Sequence, residues 1–95
     1  MNVKAAYIPQ GLVVAEASLR KNDDKWILEN PALIVIRGNE ANLIPLLHLV
    51  EENYIVVDLK DVMFNTLFTP KRDIVNLYNQ IFGSGIVLST SMPAT

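Results

Sequence analysis

A proline stands inside the most apolar run of this chain, "KWILENPALIVI", residues 25–36. Trp26, Ile27 and Leu28 before it, and the aliphatics 32–36 after it, read as a long strand. A proline lacks the backbone N–H that a central strand must donate, so it belongs at a bulge, a bend or a sheet edge. Pro45, inside the next apolar run, makes the same demand. Two such prolines predict strands that bend sharply and change partners, as small closed barrels require. The alternative is that Asn30-Pro31 is a turn between two shorter strands.

Thirty-one of the 95 residues are Leu, Ile or Val. Branched aliphatics favour strands, and a chain of this length makes one domain that buries only ~65% of its unfolded surface. So much apolar strand in so small a body hints at burial between subunits. The formal net charge is −2, with both signs scattered along the chain, so any binding of nucleic acid must come from a local patch. The chain has no cysteine, which excludes disulfides and thiolate metal sites. The opening "MNVKAAYIPQG" lacks the layout of a signal peptide, and no apolar run approaches the ~20 residues of a membrane span. The expectation is a cytoplasmic protein without membrane contact.

Strands are predicted over Val3–Ile8, 12–19, 26–36, 43–50 and 54–59, separated by turn chemistry such as Pro9-Gln10-Gly11 and the polar loop 20–25. In the second strand Val13, Ala15, Ala17 and Leu19 form a uniformly apolar face. No repeat, linker or low-complexity segment interrupts them, and "VVDLKDVMF" continues or bends the last strand. From Thr69 the pattern changes. Thr69 is placed to N-cap a helix with Pro70 at its first position. Ile74, Leu77, Tyr78 and Ile81 recur at i, i+3, i+4 and i+7, and Gly83 offers a stop. "GIVL" reads as one further short strand and the remainder as a tail. The fold class is therefore mainly β, with a small antiparallel barrel or sandwich over 1–68 and a helix and tail over 69–95 packed on the same domain.

The order of elements, strand, Gly11 turn, strand, polar loop, long strand and closing pair, resembles the Sm-like family that includes the LSm and Hfq-type proteins. "WILENP", "PKRDIVNLYNQ" and "FGSGI" look like small Sm-like proteins of marine cyanophage type. The resemblance implies a strongly bent five-stranded antiparallel barrel. It also implies a homo-oligomeric ring in which edge strands of neighbours pair, and a role in binding single-stranded RNA as a chaperone or regulator, without catalysis. The rival reading keeps the ring but gives it a structural or protein-interaction role, for example in phage assembly. Host-cell cytoplasm would then be the location of a phage-encoded copy.

Six sites compete with blander roles. Trp26, with Lys25 and the cations Arg20 and Lys21 nearby, has the composition to stack an unpaired base while cations meet phosphate, or it packs in the core. Asp23 and Asp24 in the same loop oppose phosphate. Arg37, Gly38 and Asn39 match the Arg-Gly of the family's RNA loop, one loop earlier than the family has it, or form a polar turn. Lys71 and Arg72 open the helix, where free N–H groups and two cations suit an anion, or they are simply solvated. The lone His48 makes a poor metal site, and Glu51-Glu52 reads as a solvated turn. Gly83-Ser84-Gly85 follows a helix, so it is no nucleophile elbow. No phosphate-loop or dinucleotide signature is present, so no enzyme, cofactor or metal is expected.

Overall fold

The computed structural model describes residues 3–20 and 22–83. Five strands, β1 (Val3–Ile8), β2 (Gly11–Arg20), β3 (Lys25–Arg37), β4 (Glu40–Pro45) and β5 (Tyr54–Asp58), precede one helix, α1 (Arg72–Phe82). All pairings are antiparallel. The order is β1-β2-β3-β4, and β5 also pairs with β3. The mainly β character, the five antiparallel strands and the C-terminal helix agree with the sequence. Among the described residues the sheet is not closed: β5 lies on β3, and β1 receives on its outer side a single bridge from Phe68 to Ala5.

Pro31 sits where both neighbours of β3 step aside. On one side Val14 pairs with Ala32 and Glu16 with Glu29, so Ala15 faces the two residues Asn30 and Pro31. This is a β-bulge, and Asn30 takes the left-handed conformation (φ 50°), which asparagine tolerates better than most residues. On the other side Ala32 pairs with Pro45 and Glu29 with Tyr54, so β4 and β5 share one edge of β3 in line. Residues 46–53 leave the sheet between them. That excursion begins where the Leu46 N–H donates to Pro31 O (2.9 Å) and ends where Asn53 O accepts from the Asn30 N–H (2.7 Å). The missing donor of Pro31 therefore costs the ladder nothing on either edge.

The extra residue also flips the alternation of β3. Before the bulge Trp26 and Leu28 point into one core; after it Leu33 does, while Ala32 and Ile34 point to the other face. An uninterrupted strand would carry its second half's apolar set to the wrong face. The inner core gathers Ala6, Ile8, Val13, Ala15, Ala17 and Leu28 beneath Trp26, Ile55, Val57 and Leu67, with Val62 among them. The opposite face buries Val14, Ala32 and Leu43 under the Ile74, Leu77, Tyr78 and Phe82 stripe of α1. Each Val, Leu or Ile fully withdrawn from water contributes roughly 1.5–3 kcal/mol before entropy is counted, and each alanine less. Gly11 (φ 133°) lies so close to Leu33 that a Cβ would meet its Cδ1 at 2.9 Å.

Several boundaries differ from expectation. The run 43–50 is strand only to Pro45: after the Leu46 bond to Pro31, residues 46–50 turn out of the sheet. The loop expected over 37–42 shrinks to Gly38-Asn39, and β4 begins at Glu40. Leu19, expected on the buried face, is exposed at the sheet's end. The segment after β5 bends through two 3₁₀ turns, Leu59–Asp61 and Met63–Asn65. Thr69 is not the N-cap and Pro70 is not the first helical residue. Lys71 (ψ 155°) takes the N-cap position without a side-chain bond, since the bridge from Phe68 to Ala5 holds the preceding chain extended. Ile81 points to solvent, and Phe82 replaces it in the stripe, its ring centroid 4.6 Å from that of Tyr78. Gly83 closes the helix as expected, with φ 45°. The "GIVL" strand and the tail lie outside the described residues.

Candidate functional site

Lys25 and Trp26 are held by the fold. Lys25 opens β3 opposite Asp58 of β5, and its Nζ donates to Asp58 Oδ1 at 2.6 Å. That hydrogen bond, more than the attraction of opposite charges, lowers the Asp58 carboxyl below its ordinary value and raises Lys25 above its own. Trp26 is half-buried and packs against both inner clusters. Arg20 forks onto Asp23 with Nε at 3.0 Å and Nη2 at 2.7 Å from the two carboxylate oxygens. Two cations of this loop thus already have carboxylate partners, and Lys21 lies outside the described residues.

Arg37, Gly38 and Asn39 make the β3–β4 hairpin turn. All three are exposed; Gly38 has φ 60°, and nothing lies within 4 Å of where its Cβ would stand. Lys71 and Arg72 are exposed at the start of α1. His48 is exposed, with Nδ1 3.3 Å from Pro45 O. Among the described residues, no group of His, Asp or Glu could hold a metal ion, and no helix is long and apolar enough to cross a membrane.

The structure brings Asn39 and Lys71, far apart in sequence, to one groove of about 1030 Å³ on the helix-covered face. Its floor runs from Ile34, at the margin of the helix-covered cluster, to Tyr7 and Ile36, which α1 leaves bare. One wall is the start of α1, with Ile74 and Leu77; the other is the arm carrying Phe64 and Phe68. Glu40 and Asp73 also line it. Tyr7, Phe64 and Phe68 form an edge-to-face trio with centroids 5.9, 5.9 and 6.0 Å apart and interplanar angles of 82–87°, a favoured arrangement of aromatic quadrupoles. Phe64 is 66% exposed and has φ 66°, with Asn65 following at φ 50°. A phenylalanine in the left-handed region is strained, and such strain gathers where a side chain must be presented.

Sequence reasoning missed this trio. Phe64 and Phe68 are four residues apart but lie on no helix, and Tyr7 joins them because Phe68 exchanges two hydrogen bonds with Ala5 (2.8 and 2.7 Å), beside Tyr7. The one local signal was the close spacing of Phe64 and Phe68.

Tyr78 is the other residue whose role emerges in three dimensions. Fully buried, it lies 3.1 Å from both Glu29 O and Asn30 O, so its hydroxyl proton is shared between two carbonyls at the bulge. Burial, and to a smaller extent the Glu16 carboxylate, push its phenol well above the ordinary value, so it remains a donor. No known protein family matches this chain, and no curated protein matches its sequence.

Proposed function

We propose that this protein is a non-catalytic, Sm-like, ring-forming homo-oligomer that binds single-stranded RNA. The observation that carries the self-assembly is the apolar surface on one edge of the sheet. Tyr54 and Val56 of β5 and Ile44 of β4 are exposed, and Leu49 between the two strands is 86% exposed. Single exposed apolar residues are ordinary, but this many along an unpaired strand edge invite pairing with another chain. The bent β3 and the return of Phe68 to β1 support an Sm-like architecture, in which a neighbour would complete the curve of the open sheet.

The RNA contact falls to the exposed Arg37-Gly38-Asn39 turn. Arg37 has no ion-pair partner among the described residues, and an open glycine lets a backbone approach closely. Filter binding of poly(U) and poly(A) at low and moderate salt tests it. Binding that weakens with salt, and further with Arg37→Ala, supports the reading; no binding at micromolar protein ends it. One observation favours a second reading, an oligomer with a structural or protein-interaction role. Lys25 is tied to Asp58 and Trp26 is packed inward, so the expected stacking site is already engaged.

A further inference from the structure

We infer that the apolar groove is a socket for the loop 46–53 of a second copy of this chain; the inference rests on the self-assembly proposed above. The two surfaces fit in chemistry. The loop projects Leu46, Leu49 and Val50 into solvent and ends in Glu51 and Glu52. The groove offers a concave apolar floor and, at the lip formed by the start of α1, Lys71 and the adjacent Arg72. None of these four charged groups has an ion-pair partner among the described residues. The first-turn N–H groups of α1 add a partial positive charge at the same place. Glu40 and Asp73 line the groove too, Asp73 in the same first turn as the cations, so Lys71 and its neighbour Arg72 are the groups of the lip that the loop's glutamates can pair with.

Size and preorganisation agree. About 1030 Å³ is at the upper end of small-ligand sites, so the groove accepts a cluster of side chains and not a single one. The loop is pinned at both ends by the Leu46–Pro31 and Asn30–Asn53 hydrogen bonds, and the Val50 N–H donates to Leu47 O at 3.2 Å. A loop already ordered loses little entropy on docking. A loop cannot reach its own groove, however. It shares a small hollow with Phe82 at the C-terminal end of α1, whereas the groove opens at the N-terminal end, roughly 16 Å away along eleven residues of helix. The contact is therefore between molecules, reciprocal in a two-fold pair or head-to-tail where it closes a ring.

Sedimentation of the full chain across a concentration series tests this. Leu49→Asp, on an 86% exposed side chain, leaves the fold intact by circular dichroism and weakens association by roughly 30-fold or more, as loss of a buried anchor does. The loop variant Glu51→Lys/Glu52→Lys weakens it about tenfold, and adding Lys71→Glu/Arg72→Glu to the same chain restores it. Wild-type chains that assemble while Leu49→Asp associates equally well overturn the socket and leave self-assembly standing. Weakening by the loop variants without rescue moves the loop to another surface and also overturns it. A monomeric wild type at high concentration ends both proposals.

Discussion

The helix-side face of the sheet has two halves that share strands and composition but not surroundings. Beneath α1, Val14 and Ala32 are completely buried and Leu43 nearly so. Beyond the start of α1, Ile36 on the same strand as Ala32 is 65% exposed, and Tyr7 is open beside it. Nothing in β3 itself distinguishes Ala32 and Ile34 from Ile36: all three are apolar and share one parity after the bulge. What differs is the cover. Eleven residues of helix shield one half and leave the other as a groove. An apolar strand states a demand for burial, and the elements that meet the demand decide where a core ends and a surface begins.

The covered half should fail first when its cover is cut. Tyr78→Ala removes the central buried ring of α1 and is expected to destabilise by ~3–5 kcal/mol, read as a lower urea midpoint. Tyr78→Phe keeps the ring but leaves the Glu29 and Asn30 carbonyls without their donor, an expected loss of about 1–3 kcal/mol; an unchanged midpoint would mean the bulge does not depend on the hydroxyl. Asn30→Val forces a β-branched residue into the left-handed conformation and should cost roughly 1–2 kcal/mol, whereas Asn30→Gly should cost nothing. On the open half, Ile36→Thr should shift the stability of dilute protein by less than ~0.5 kcal/mol. A larger loss would show that the groove half is as buried in solution as the other.

The smallest effect concerns pH. The Asp58 carboxyl, lowered from its ordinary 3.8 by Lys25, stabilises the fold above that value and loses its contribution as pH falls through the lowered one. Lys25, raised above 10.5, loses its share only in strong alkali. Stability between pH 5 and 9 should therefore be indifferent to this pair. Asp58→Asn should flatten only the acid limb of a stability–pH curve, and less so in high salt, which screens exposed charges.

Much of the architecture was legible. The alternation of Val13, Ala15 and Ala17 marked a buried face, the spacing of Ile74, Leu77 and Tyr78 marked a helix, and Asn30-Pro31 marked the place where the long strand must bend. These are local signals, carried by residues whose own backbone chemistry or period restricts them. The candidate site was less legible. Lys25 and Trp26 looked available because Asp58, Val57 and Ile55 stand some thirty residues downstream, and only the β3–β5 register brings them opposite. Tyr7 could not be joined to Phe64 and Phe68 for the same reason.

By itself, then, the sequence marked most of the segments that extend, the one that coils and the residue at which the long strand bends, because each depends on a residue and its near neighbours. Tertiary structure alone decided that β4 and β5 share one edge of β3, that Tyr78 serves the bulge, and that Tyr7, Phe64 and Phe68 meet above a bare sheet face. Those outcomes depend on contacts between distant residues, which no local period encodes.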